Sequence, residues 1–149
     1  MNWVIMPFLN NADQTGQAVE DVLTQTLPDV RLLLIDQGSI MEIRWSTAAA
    51  AHQFADCPRL HRWRHNPPLP SLAATWNRAL QFVWESRGEY ALVINNDVRL
   101  PPRTYELLRE VQHLSGAWFV SAVNIGEAEW EKGVIKQELP DPRSKGGPD

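Results

Sequence analysis

The chain has 149 residues, 44 % of them hydrophobic and 21 % charged, with a formal net charge of −4. That length suits one domain with one core, and a fold of this size buries roughly two-thirds of its unfolded surface without disulfide or metal staples. The charges are dispersed, with neither the basic stripe of a nucleic-acid binder nor the long acidic run of a charge-driven partner.

The first apolar run, Trp3 to Met6, is stopped by Pro7. Ala18, Val19, Val22 and Leu23 then recur at helical spacing, and Pro28 closes that helix. Val30 to Ile35 is apolar apart from Arg31, the pattern of a buried parallel strand. Ser39 and Glu42 form a capping box that opens an alanine-rich helix ending before Pro58. Leu60 to Arg64 is a weaker strand, followed by the loop HNPPLPS. Ser71 is an N-cap for a helix whose expected apolar face is Leu72, Trp76, Leu80, Val83 and Trp84, with Gly88 as its C-terminal stop. Tyr90 to Ile94 is a strand ending in Asn95-Asn96-Asp97. Pro101 and Pro102 open a helix with Leu107, Leu108, Val111 and Leu114 on one side. Trp118 to Val123 has the composition of a further strand, and from about residue 126 the pattern weakens into turn and coil formers.

Cys57, the single cysteine, excludes an internal disulfide and fits a reducing compartment. It sits in the turn-like ADCPR without a neighbouring base, so it reads as a bystander rather than a nucleophile. The opening MNWVIMPFLNNAD has no basic n-region and too short an apolar run for a secretory signal, and nothing approaches the ~20 apolar residues of a membrane span. A cytoplasmic location is the expectation.

Repeated strand–helix alternation predicts an α/β, Rossmann-like fold: a mostly parallel sheet with helices on both faces. Ligands of such sheets sit beyond the carboxyl ends of the strands. Three segments qualify, Pro7 to Asn11, Asp36 to Ser39 and Asn95 to Asp97, each placing polar residues directly after an apolar strand. Asp36 can accept from a ribose hydroxyl or a pyrimidine imide, or can serve as a turn aspartate. Asp97 can hold a hard divalent cation that also takes diphosphate oxygens, or can be part of an Asn-Asn-Asp turn. A dinucleotide-binding turn is excluded at its most diagnostic position, because MPFLNN contains no glycine. A nucleotidyltransferase would need a lysine- and glycine-bearing phosphate loop that PFLNNADQTG lacks. His61 and His65 can share a strand face without a Cys or third His to complete a zinc set. Trp76 and Trp84 read as core, whereas Trp45, Trp63 and Trp130 are free to stack on a sugar or base.

Taken in order, these segments resemble glycosyltransferase family 2, whose fold is GT-A. WVIMPFLNN is similar to that family's first strand and Pro-x-x-Asn turn. DVLTQTLPDVRLLLIDQGS resembles its helix end and the strand running into an Asp-x-x-Ser turn. HNPPLPSLAATWNRAL and YALVINNDVRLPP are similar to its Asn-containing helix and its Asp-x-Asp-type metal strand. The resemblance implies that Pro7 and Asn10 line a nucleotide, Asp36 contacts its base and Asn77 lies near the donor. Asn95 would face the ribose with Asn96 beside it, and Asp97 would ligate Mn2+ or Mg2+. Two positions depart from the pattern: Asn95 replaces the first acid of the metal motif, and a PPLPS loop replaces the glycine after Asn66.

The implied activity is metal-dependent transfer of a sugar from a nucleoside-diphosphate sugar to an acceptor hydroxyl, with inversion. The acceptor itself is not legible. Family members continue into an acceptor-binding half that supplies an Asp or Glu base, whereas this sequence stops at Gly146-Gly147-Pro148-Asp149. Glu127, Glu129 and Glu131 are available carboxylates, but none is marked as a base. The expectation is one GT-A-like nucleotide-sugar-binding domain over 1–149 that lacks the acceptor half and can self-associate through exposed apolar surface. The alternative is a non-catalytic nucleotide-binding or assembly module of the same fold.

Overall fold

The computed structural model describes residues 1–40, 54 and 56–122. The chain divides into a unit spanning Met1–Phe119 and a second spanning Val120–Asp149, of which 120–122 are described. In the first unit the elements are β1 (Asn2–Phe8), α1 (Ala12–Leu23), β2 (Val30–Asp36), β3 (Leu60–Arg64), α2 (Leu72–Glu85), β4 (Tyr90–Val93) and α3 (Thr104–Ser115). The four strands form one parallel sheet in the order β3-β2-β1-β4. The predicted Rossmann-like α/β architecture is therefore present.

Strand periodicity sorts the core into two layers. Val4, Met6 and Phe8 of β1 with Val30, Leu32 and Leu34 of β2 pack against α1 residues Ala18, Val19, Val22 and Leu23 and against Tyr105 of α3. Trp3, Ile5, Leu33 and Ile35 point to the opposite face, under Ala79 and Val83 of α2. Helices thus cover both faces, which explains why β1 and β2 read as continuous apolar runs rather than alternating ones. Tyr105 also fixes α3 to the sheet, its hydroxyl donating to the Trp3 carbonyl at 2.9 Å.

Tertiary contacts altered several local expectations. Pro7 does not end β1, which continues through it to Phe8. The Ile5 carbonyl accepts from Ile94 while the Phe8 carbonyl accepts from Gln37, so odd-numbered β1 residues direct their backbone polar groups toward β4. The β1–β4 ladder ends at Ile5↔Val93, so Pro7 lacks an N–H where there is no strand to receive one.

The buried stripe of α2 is Thr75, Ala79 and Val83, whereas Trp84 is 63 % and Leu72 46 % exposed. Trp76, Leu80 and Phe82 are partly buried against the same cluster, so of the expected face only Leu72 and Trp84 turn outward. Ser71 does cap α2, its hydroxyl accepting from the Ala74 N–H at 3.1 Å. At the other end Arg87, not Gly88, adopts the left-handed conformation. Gly88 is required for space, because a Cβ there would lie 2.4 Å from Val83 Cγ1 and 2.8 Å from Trp3 Cδ1.

Residues 118–122 form no strand: Trp118 and Phe119 are each 94 % exposed, without the burial a strand face needs. On α3 the buried residue is Tyr105, and Leu114 is exposed. Glu42, Trp45, the alanine-rich segment, Trp130 and the tail from 126, including Glu127, Glu129 and Glu131, lie outside the described residues.

Candidate functional site

The strand order places the site. From β1 the chain moves outward on one side to β2 and β3, then returns to the other side of β1 as β4. The crevice at such a reversal, beyond the carboxyl ends of the strands, is where a parallel sheet leaves backbone groups free for a ligand. β1 delivers Pro7 and Asn10 to it, β2 delivers Asp36, and β4 delivers Asn95, Asn96 and Asp97.

Two of these loops are joined directly. Asn10 and Asn11 both lie in the left-handed region, with φ of 59° and 61°, a conformation that asparagine tolerates better than most residues. This turn aims the Asn10 N–H at the Ser39 hydroxyl, 2.9 Å away, and its side-chain carbonyl at the Ile40 N–H, 3.4 Å away. Ser39 Oγ is thereby bonded to β1's loop, while the capping box expected with Glu42 lies outside the described residues. Asp36 is buried, and its Oδ1 accepts from the N–H groups of Gly38 at 3.1 Å and Ser39 at 2.7 Å. Its Oδ2 lies 3.8 Å from Arg64 Nε. One carboxylate oxygen thus holds the turn, which requires φ +91° at Gly38, while the other remains on the Arg64 side.

The β4 loop is tied to α1. Asn96 Nδ2 donates to Thr15 Oγ1 at 2.8 Å, so Asn96 acts in the described residues as a scaffold amide. Beyond it, Arg99 makes a two-pronged pair with Asp21, at 2.7 and 3.0 Å, and the same carboxylate accepts from the Leu100 N–H at 2.9 Å. These bonds fix both ends of the short segment that carries Asp97. Asn95 and Asp97 are exposed. No cluster of three His, Cys, Asp or Glu residues capable of holding a metal occurs among the described residues. A cation here would have one carboxylate, from Asp97, and would need further oxygens from a ligand or water, as hard divalent ions accept.

Asn77 lies on the exposed side of α2, with no described hydrogen bond joining it to the three loops. The link from α2 runs instead through Thr75, whose hydroxyl donates to Gln37 Oε1 at 3.1 Å. Gln37 Nε2 is buried without a partner beside Asp36, a donor unspent by the fold. Thr15, Arg64 and Thr75 were missed by sequence reasoning, whereas Gln37 and Ser39 fell inside the selected segment Asp36 to Ser39 without a role of their own. Only the contacts between distant segments reveal them, although Arg64 and Gln37 do stand at strand ends.

His61 packs among aromatic rings. Its ring lies 4.9 Å from Trp3 and 6.4 Å from Phe82, and burial, aided by the Arg31 charge, lowers its pKa below the ordinary 6.5. Trp63 packs edge-to-face on Phe82 at 4.8 Å.

The family described as Glycosyl transferase family 2 matches residues 3–144. A search of curated proteins found no match. Among solved structures, the mannosyltransferase PcManGT from Pyrobaculum calidifontis, in complex with GDP-Man and Mn2+, is 20 % identical with a TM-score of 0.56. That match covers 68 % of this chain and 28 % of that one. S. aureus TarS 1-349 in complex with UDP-GlcNAc is 14 % identical with a TM-score of 0.63, covering 88 % of this chain and 38 % of that one. TarS 1-349 without a named ligand gives the same identity and score, with 88 % and 40 % covered. The chain therefore spans less than half the length of these structures, and at such identities they establish the shared GT-A fold. With nearly the whole sequence matched to one family, the chain belongs to glycosyl transferase family 2.

Proposed function

We propose that this domain binds a nucleoside-diphosphate sugar in the crevice beyond β1, β2 and β4 and takes part in transferring the sugar to an acceptor hydroxyl with inversion. The observation that carries this reading is the joining of the Asn10 turn to the Asp36 turn through Ser39. Two strand-end loops are thereby preorganised around a carboxylate with one oxygen uncommitted to the turn. In this reading Pro7 and Asn10 line the nucleotide, Asp36 Oδ2 meets the base, and Asn95 and Asn96 border the ribose. Asn77 approaches the donor from α2. Family membership supports the reaction class, and two neighbours carry GDP-Man with Mn2+ and UDP-GlcNAc in their own complexes.

Asp97 would hold a divalent cation, Mn2+ or Mg2+, whose chemistry is to offset the charge on a departing diphosphate. The exposed carboxylate between two fixed points suits that role, with the ligand's own oxygens completing the set. No helix among the described residues is long and apolar enough to cross a membrane, and a cytoplasmic site of action is part of the proposal.

The test is calorimetric titration of UDP, GDP and dTDP, each with and without Mn2+, against the wild type and Asp97→Ala. The expected result is Mn2+-dependent binding of one nucleotide, lost in the variant. Absence of binding for all three would overturn the donor site and favour a non-catalytic module of the same fold.

A further inference from the structure

Thr15, near the start of α1, is 0 % exposed, and its hydroxyl works in both directions. It donates to the Asn11 carbonyl at 2.8 Å and accepts from Asn96 Nδ2 at 2.8 Å. A hydroxyl has one proton, so the bond to Asn11 leaves only lone pairs for Asn96. That polarity fixes the Asn96 amide with its nitrogen toward α1.

Asn11 belongs to the left-handed turn after β1, and its neighbour Asn10 is bonded through Ser39 to the Asp36 turn. One path of hydrogen bonds therefore crosses all three strand-end loops, from Asp36 through Ser39, the Asn10–Asn11 turn and Thr15 to Asn96. Asp97 is the next residue. Asn95 and Asp97 make no hydrogen bond among the described residues, so the Thr15 bond is what holds this end of their loop. The Asn11 carbonyl also accepts the Thr15 N–H at 3.0 Å, and β1's turn keeps that tie to α1 without the hydroxyl. Asn96 Nδ2 has no second acceptor among the described residues. Loss of the hydroxyl thus releases the β4 loop and spares the β1 loop.

We propose that Thr15 is a positioning residue that couples the nucleotide and cation halves of the donor crevice, by holding the segment that carries Asp97 in place before a cation arrives. The inference rests on the donor reading. A loop released from Thr15 has to be ordered when the cation binds, and that ordering lowers the gain in affinity. By linkage, whatever Mn2+ adds to nucleotide affinity the nucleotide adds to Mn2+ affinity, so one factor describes the coupling.

The experiment is calorimetric titration of UDP, GDP and dTDP, each with and without Mn2+, against the wild type, Thr15→Val and Thr15→Ser. The quantity read is the factor by which Mn2+ tightens the nucleotide that binds. Thr15→Val keeps the side-chain shape without the hydroxyl and should reduce that factor about threefold to tenfold, the scale of one hydrogen bond, with metal-free affinity unchanged. Thr15→Ser loses a buried methyl, and some stability with it, yet should keep the wild-type factor. A merely structural role would lower the factor in step with stability in both variants. On the wild-type protein, adding Mg2+ to the nucleotide complex should shift the NMR resonance of the Thr15 methyl, which is shielded from any ligand, together with the Asn96 side-chain amide. That readout holds even where Thr15→Val fails to fold. An unchanged factor in Thr15→Val, a factor equally reduced in Thr15→Ser, or a silent Thr15 methyl would each overturn the coupling while nucleotide still binds. Failure of all three nucleotides to bind the wild type is a different outcome, which overturns the donor reading and the coupling together.

Discussion

The backbone N–H of Asn10 donates to the hydroxyl of Ser39 across 29 positions of sequence, at 2.9 Å. Ser39 in turn gives its own N–H to Asp36, so β1's loop, a serine and β2's terminal carboxylate form one chain of hydrogen bonds. The geometry of the proposed donor crevice therefore rests on the hydroxyl of Ser39, a residue with 3 % exposure.

Ser39→Ala should uncouple the two loops. Loss of the acceptor leaves the Asn10 N–H without its partner, at a cost of about 1 to 2 kcal/mol, read as a shift in the urea midpoint without a change in slope. In the proposed donor site the same variant should weaken nucleotide binding while leaving the sheet intact.

Asp36 carries two roles that substitution separates. Asp36→Ala removes the acceptor of two backbone N–H groups and should cost about 2 to 3 kcal/mol. Asp36→Asn retains an oxygen for the turn and should cost about 1 kcal/mol or less, yet on the proposed function it should still lose base recognition. Chemical denaturation and nucleotide titration of both variants separate the two effects. Equal stability loss in the two would remove the turn role.

Gly88 and Gly116 should respond differently to alanine. At Gly88 the new methyl would meet Val83 Cγ1 at 2.4 Å and the Val83 carbonyl at 2.8 Å, and a backbone atom cannot swing aside. Overpacking of that kind costs about 1 to 3 kcal/mol. Gly116 has nothing within 4 Å of a new Cβ, and its φ of +64° leaves only the left-handed penalty of about 1 kcal/mol. Thermal melts should therefore place Gly88→Ala below Gly116→Ala. The reverse order would contradict the close approach of Trp3 and Val83.

His61 should make stability fall with acid. Burial, and then the charge of Arg31, hold its folded-state pKa below the unfolded value of 6.5, so the unfolded chain binds the proton more tightly. Stability contributed by neutral His61 is complete above about pH 6.5. It declines as pH drops through that value toward the folded pKa, and levels off beneath it. His61→Phe, which keeps an aromatic ring beside Trp3, should flatten this part of the profile in denaturant titrations between about pH 7 and 5. An unchanged slope in the variant would assign the acid sensitivity to other groups.

The sequence by itself determined the α/β class and the extent of β3, because strand and helix periods are local properties of the chain. It also located β1, β2 and β4, the Ser71 cap and the polar residues at three strand ends, since each depends on neighbours a few positions away. Tertiary structure decided the rest. Pro7 is tolerated because β4 has already ended on its open side, and the face of α2 that meets the sheet is centred on Thr75, Ala79 and Val83, which leaves Trp84 exposed. Asp36 Oδ1 is committed to its own turn, and Asn96 to Thr15. Trp63 meets Phe82 only because α2 packs beside β3. Each of these outcomes depends on which distant segment occupies the adjoining space, and contacts over such separations leave no period in the sequence.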